Sequence, residues 1–546
     1  MSSQPAPVSS TVAQALAAAF KGNRVARIFG VPGGGSSLDL MDAAADVGIG
    51  FVLTRTESAA VMMAAVTAEL DDTLGVALST KGPGTANAAN GVAYAALDRA
   101  AVMFISDGFD ADEQGYVTHQ VFDQRALLSP ITKGHDRLDA DDVAASVMDL
   151  VTLAMTPPRG PVFIELTGAA AKRTVTAGSA TQRPVSTATL PVDEAALAEA
   201  ASLMADARRP VLVVGLEARS RDAARAVREL AARLNCPVLV TYKAKGVVPD
   251  HAPQYVGIFT GGAAEADCLN RADLILLCGV DPVEFIRKPW RYPAPVIDVA
   301  PSAYDVHYLT PRVGLYGALE THLRGLITDS ASTQWTIEEI TALRQAINQR
   351  LQYKASGGIG PQQVVTLAVE ASRALPVMPR IAVDAGAHMF SAMAFWPCAE
   401  PHDVLISNGL ATMAFALPAA IAAALHEPDR PVIAFTGDGG LLMCLGELAT
   451  AVDQQARIVV IVFNDQSLSL IDIKQQQRGF DSLGVRWQRP DFAAVMTGLG
   501  GRGYGVNDIA QYTAALEEAL RGSGPALIDV AIDPTGYPEQ LKALRG

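Results

Sequence analysis

The chain has 546 residues, half of them hydrophobic and 18% charged, which is too long for one core and points to roughly three or four domains. Its net charge of −14 opposes nucleic-acid binding, which needs basic surface to displace counterions, and disfavours anionic membrane surfaces. Five scattered cysteines (Cys236, Cys268, Cys278, Cys398 and Cys444) without CxxC spacing give no zinc or disulfide signature and fit free thiols in a reducing cytoplasm.

The opening "MSSQPAPVSS" lacks the basic-then-apolar order of a signal peptide and reads as a loose tail. Beyond it, short β-branched runs alternate with Ala-rich helical stretches, the pattern of parallel sheets with helices on both faces. "FVLTRTESAA" (51–60) ends a strand and opens a helix at Glu57, where a lone acid is usually only a helix-end charge. "GVALST" and "AVMFIS" are further strands. The first runs into "TKGPG" with Lys81; the second runs into "SDGFDADEQGYVTHQ", whose Asp107, Asp110, Asp112 and Glu113 read first as a solvated acidic loop. After the strand "PVFIEL", the Ser-, Thr- and Ala-rich "AAAKRTVTAGSATQRPVSTATLP" (169–191) reads as a linker.

"RRPVLVVGLEARSRDAARAVRELAARLNCPVLVT" is a strand–helix–strand unit without the GxGxxG turn that brings backbone close to a pyrophosphate. It reads as a structural middle domain, with nucleotide binding left open. "LILLCG" and "PVIDVA" continue its sheet, and the polar "QAINQRLQYKASGGIGPQ" (345–362) reads as a second divide of low structure. "RIAVDA", "PVIAFTG" and "RIVVIVF" are the strands of the last part. Its most apolar helix, from Met413, contains Pro418 and falls short of the ~20 residues that span a bilayer. The expected fold is α/β, with three doubly wound parallel-sheet domains at 1–170, 190–330 and 360–546. The expected protein is soluble and cytoplasmic, with neither a nucleic acid nor a membrane as partner.

"FTGDGG" (435–440) places an acid between glycines where an apolar strand ends, before a helix expected near Leu441–Gln455. Glycines let backbone approach a bulky anion, and amides at a helix start point toward it. A carboxylate there repels phosphate unless a hard cation lies between them, so Asp438 points to a diphosphate carried on Mg²⁺. The next strand ends on "NDQS" (464–467), and in a parallel sheet both strand ends share one edge. Asp465 then reaches the same metal, with the Ser467 carbonyl a third ligand. Taken singly, Asp438 also reads as a helix cap and Asp465 as part of a surface turn.

"GDGGLLMCLGELATAVDQQARIVVIVFND" (437–465) resembles the thiamin-diphosphate motif, and its Glu-Leu-Ala-Thr is typical of the acetolactate synthase-like branch. "RIFGVPGGGSSLDLMDAA", "STKGPGTANAANGVAYAALDRA" and "THQVFDQRALLSPITK" look like first-domain segments of that family. The His119–Gln120 pair and "GVDPVEF" (279–285) resemble its flavin-free catabolic members, so no flavin is expected. The resemblance implies a thiamin-diphosphate and Mg²⁺ enzyme in which Glu57 hydrogen-bonds the pyrimidine ring, with His119 and Gln120 also catalytic. In "VDAGAHMF", Gly386, Ala387 and His388 match the family's Gly-Gln-His diphosphate turn, with Ala387 in place of Gln. Ala411 would offer its carbonyl to the cofactor, and Met413 matches the apolar wedge that bends it, although helical Met is otherwise a core residue. Gly33, Gly437, Asp438, Gly439, Gly440, Asp465, Ser467, Leu468, Ser469 and Leu470 complete the implied cofactor contacts, with Asp438, Asp465 and Ser467 on the metal.

The activity implied is carboligation: decarboxylation of pyruvate or a related 2-keto acid, then joining of the fragment to a second carbonyl. Ile471, beside Leu470, stands where simple decarboxylases of the wider superfamily carry a protonating Glu, and an apolar wall favours ligation. Lys81 departs from the family, where a small residue is usual. If the acidic loop faced the pocket, an anionic donor would need Lys81, Arg125 or Lys474 in compensation. Decarboxylation or carbon–carbon hydrolysis of another keto acid or diketone, and a non-catalytic homologue, therefore stay open. The family places the cofactor between the first domain of one subunit and the third of another, which implies a homodimer or homotetramer.

Overall fold

Apolar runs too short for a helix become the strands of three six-stranded parallel sheets in the computed structural model, which describes residues 9–139, 142–176, 190–285, 289–327 and 333–545. The opening tail lies largely outside the described residues. The chain forms two units: Met1–Ala188 with Ile421–Glu427 and Cys444–Gln454, and Thr189–Ala420 with Pro428–Met443 and Gln455–Gly546.

The first unit carries β1 (Ser9–Thr11), β2 (Arg27–Val31), β3 (Gly50–Leu53), β4 (Gly75–Ser79), β5 (Val102–Asp107), β6 (His135–Asp136), β7 (Val162–Leu166) and β8 (Thr174–Thr176). Its sheet runs β3-β2-β4-β5-β7-β6, all parallel. Every residue of β4 and β5 is buried, as expected for strands covered on both faces. The linker expected at 169–191 starts later than its composition suggests. Gly168–Lys172 is helical and β8 pairs antiparallel with β1, while 177–189 lies outside the described residues.

The second unit holds two sheets. The middle sheet contains β9 (Pro210–Val214), β10 (Val238–Val240), β11 (Tyr255–Ile258), β12 (Leu274–Cys278), β13 (Val296–Ala300) and β14 (Val313–Tyr316), in the order β11-β10-β9-β12-β13-β14. The last sheet contains β15 (Arg380–Val383), β16 (Val404–Ile406), β17 (Val432–Gly437), β18 (Ile458–Asn464), β19 (Arg502–Val506) and β20 (Ala526–Ala531), in the order β16-β15-β17-β18-β20-β19. In each sheet strand order reverses beside its first strand, between β2 and β4, β9 and β12, and β15 and β17. Open α/β sheets present their ligands at the carboxyl ends of the strands flanking such a reversal.

Two expectations are corrected. The stretch 345–362 is not uniformly loose, because Ile337–Leu351 is one helix whose Ile340, Leu343, Ile347 and Leu351 are buried. Its apolar 3–4 spacing outweighs the polar residues between. The helix expected at Leu441–Gln455 is two, Asp438–Met443 and Glu447–Asp453. The break falls at Gly446, a poor helix former.

At the middle reversal the protein places a carboxyl group of its own. Glu284 accepts from the amide of Leu216 at 2.9 Å and from the Thr241 hydroxyl, and its Oε2 would lie 2.6 Å from a Cβ on Gly215. Burial pushes the Glu284 carboxyl up to about 8. Since that value exceeds the ordinary 4.5, the folded state binds the proton more tightly. This contribution to stability is complete at pH below about 4.5 and is lost as pH rises toward 8. Glu284→Gln is therefore expected to flatten the fall in thermal midpoint between pH 5 and 8; an unchanged slope in paired melts would refute it.

Candidate functional site

The last sheet gathers its polar residues at the reversal. Asp384 follows β15, Asp438 follows β17, and Asp465 stands one residue beyond β18. Because Gly437 pairs in register with Phe463, the two turns that carry Asp438 and Asp465 start level on neighbouring strands. Asp438 is buried; its Oδ1 accepts from the Gly439 amide at 2.8 Å and its Oδ2 from the Gln466 amide at 2.7 Å. Its carboxyl is pushed up to about 7, by burial first and then by the charge of Asp465. Burial lifts Asp465 to about 6, against a hydrogen bond from the Ser469 hydroxyl. Two acids held above the ordinary carboxylate range in neighbouring turns, one of them raised by the other's charge, are a setting that a divalent cation relieves.

Around them stand polar groups without partners. The Ser467 hydroxyl and His388 Nε2 are buried and make no hydrogen bond. His388 opens the helix His388–Phe395 and stacks on Phe463, with ring centroids 5.2 Å apart. Burial lowers its pKa to about 4, so the ring is neutral. A Cβ on Gly386 would lie 2.6 Å from that ring, and one on Gly439 would lie 2.9 Å from Leu468. Ala387 is buried beside His388, while Leu468, Ser469 and Leu470 lead into the helix Ser469–Gln477 and are half-buried. Ile471 is 45% exposed.

Asp384 is the residue here that sequence reasoning missed. Fully engaged, it accepts from the amides of Ala414 (3.1 Å) and Phe415 (3.0 Å) and from the Thr436 hydroxyl (2.9 Å). It thereby holds the turn of Ala411 and Met413, in which Ala411 and Ala414 take positive φ values of 54° and 66°. A side chain on Gly440 would collide with the same carboxylate. Its only local signal is an acid directly after a buried strand.

In the first unit Glu57 is the first residue of the helix Glu57–Asp71, capped by the Thr56 hydroxyl on the Ala59 amide. The Glu57 carboxylate accepts from the Asn87 side chain, and its Oε1 lies 3.2 Å from where a Cβ of Gly84 would be. Gly84 is in the first turn of the helix Pro83–Leu97, whose start Gln124 holds by accepting from the Gly82 amide (2.8 Å) and the Thr85 hydroxyl (2.5 Å). His119 and Gln120 are exposed in the loop before Gln124, and Gln120 packs on Gly82. Gly33, after β2, has no room for a side chain against Asp107 and Thr80. Asp107 in turn accepts from Ser36 and Ser37 at 2.7 Å, fixing the start of the helix Ser36–Asp46.

The acidic loop is held both from within and by the helix Gly168–Lys172. Asp110 accepts from the Ala169 amide at 3.0 Å and Glu113 from the Asp110 amide at 3.1 Å. Lys81 lies with its ammonium 4.1 Å from the centre of the Phe109 ring. Arg125 and Lys474 are exposed.

The residues of the last sheet fit a metal-bound diphosphate: a glycine-lined turn, two acids held above the ordinary carboxylate range and a neutral imidazole whose Nε2 has no partner. Among the described residues no group of three or more His, Cys, Asp or Glu gathers to hold a metal. None of the helices among the described residues is long and apolar enough to cross a membrane.

Three domain families match the chain, each described as a thiamine pyrophosphate enzyme domain: the N-terminal TPP-binding domain at residues 10–127, the central domain at 197–326 and the C-terminal TPP-binding domain at 384–530. Similar curated proteins include an acetolactate synthase of Bacillus subtilis, 27% identical over 93% of this chain and 91% of its own length. A catabolic acetolactate synthase of Raoultella terrigena is 28% identical over 94% of this chain and 93% of its own. The acetolactate synthase isozyme 1 large subunit of Escherichia coli is 28% identical over 93% and 91% respectively.

Proposed function

We propose an acetolactate synthase-like carboligation of 2-keto acids, since this chain belongs to the thiamine pyrophosphate enzyme family along most of its length. The observation that carries the reading is the pair Asp438 and Asp465 on neighbouring strand ends, the first buried and the second half-buried, both raised above the carboxylate range. Mg²⁺ would be held by Asp438, Asp465 and the carbonyl of Ser467. His388 would turn its unpartnered nitrogen to a phosphate oxygen, beside the backbone of Gly386, Ala387 and Gly437–Gly440. Ala411 and Met413, held from below by Asp384, would shape the cofactor.

When bound, thiamin diphosphate supplies a carbon nucleophile and takes up the electron pair released as the keto acid loses carbon dioxide. The chain's own residues do the rest. Glu57 holds and returns a proton at the pyrimidine ring, fixed in place by Asn87. His119 and Gln120, at the rim of the turn that Gln124 braces, orient the second carbonyl. Leu470 and Ile471 keep water and proton donors away, so that ligation outruns protonation. Asp110 is taken up by the Ala169 amide of the helix Gly168–Lys172 and Glu113 by the Asp110 amide, which supports an anionic donor beside Lys81. The active species is a homodimer or homotetramer in the cytoplasm, in which Glu57 of one chain serves the diphosphate turn of a second.

The test is product analysis on protein loaded with thiamin diphosphate and Mg²⁺, supplied with a panel of 2-keto acids and diketones. Carbon dioxide release from pyruvate with a 2-hydroxy ketone product supports the reading. Free aldehyde would assign a decarboxylase, two carbonyl fragments from a diketone a carbon–carbon hydrolase, and failure to bind the cofactor a non-catalytic homologue.

A further inference from the structure

The helix Glu447–Asp453 follows the GDGG turn in sequence yet packs within the first unit. Its first residue is fully buried. Glu447 Oε1 accepts from the backbone amides of Arg55 (3.0 Å) and Thr56 (2.9 Å) and from the Thr56 hydroxyl (3.2 Å). Its other oxygen accepts from the Thr450 hydroxyl at 2.8 Å. Arg55 also pairs through its guanidinium with Asp453, and a Cβ on Gly446 would lie 3.2 Å from that of Arg55. A carboxylate is expensive to bury unless donors surround it, and here two of its donors are the amides directly before Glu57.

We infer that Glu447 is a positioning residue for Glu57. By gripping the Arg55–Thr56 turn from outside the helix, it sets the direction in which the Glu57 side chain leaves the helix start. This rests on the thiamin reading, because Glu57 has a proton to move only there. The single oxygen that serves Arg55 and Thr56 accepts without needing charge. A glutamine can therefore keep both amides on its carbonyl and turn its NH₂ to the Thr450 hydroxyl, whereas alanine releases the turn.

The experiment is deuterium exchange of the thiamin C2 proton on the holoenzyme, read by NMR after acid quench, alongside cofactor affinity by calorimetry. Glu447→Ala is expected to slow exchange roughly 10–100-fold, since misplacement by about an ångström costs that order, with affinity within about twofold. Glu447→Gln is expected to stay within about threefold of wild type. Equal losses in the two variants, or none in Glu447→Ala, overturn the inference. Glu57→Gln is the control: if it exchanges normally the thiamin reading itself fails, and if it alone is slow only the role of Glu447 falls. Should Glu447→Ala not fold, amide exchange in wild-type protein decides. Arg55 and Thr56 protected like the strands support the grip, and rates typical of a surface turn overturn it.

Discussion

Glu57→Gln is expected to lower turnover by roughly 10²–10⁴-fold while leaving thiamin diphosphate affinity within a few-fold. The Asn87 amide donates to one carboxylate oxygen of Glu57, and the other faces Gly84, so the group stands fixed at the helix start. Glutamine copies its size and preserves the acceptor for Asn87, but it has no proton to give or take. Packing is kept and acid–base chemistry is lost, which separates this variant from a merely destabilised one. Initial rates of carbon dioxide release, paired with calorimetric titration of the cofactor, check both halves. Full turnover in the variant would remove Glu57 from the chemistry.

Asp438→Asn is expected to weaken Mg²⁺-dependent cofactor binding by at least ~100-fold, the upper end of what losing a mere supporting contact to a metal ligand costs. Both oxygens of Asp438 already accept backbone amides, from Gly439 and from Gln466. An asparagine must aim its NH₂ at one of those N–H groups and removes a charge from the metal. Raising Mg²⁺ concentration cannot restore the lost acceptor, so recovery should be slight. Titration of cofactor-free protein with thiamin diphosphate at several Mg²⁺ concentrations gives the answer; wild-type affinity in the variant would dismiss Asp438 as a ligand.

Much of the fold is legible in the chain because parallel strands buried on both faces must be continuous apolar runs. "GVALST", "LILLCG" and "RIVVIVF" are β4, β12 and β18. The Asp438–Asp465 pairing is legible for a related reason, since parallel neighbours end on the same edge. What escapes notice are residues whose partners are remote in sequence. Gln124 braces Gly82 from 42 positions away, and Glu447 reaches Thr56 across 391. Glu447 opens the Glu-Leu-Ala-Thr signature, but no local spacing reveals the partners of such residues, because those partners are amides of another segment. The helix Ile337–Leu351 was obscured differently: a polar outer face masks four buried positions.

Asp384 carries a wider consequence. One carboxylate ties the turn of Ala411–Phe415 to Thr436 and leaves no space for a side chain at Gly440. Two separate stretches of chain thus hang from a single peg, so natural drift or laboratory evolution can alter them only as a linked set. Attempts to reshape the 411–415 turn alone would propagate to the 436–440 turn, and successful lineages should carry compensating changes at both.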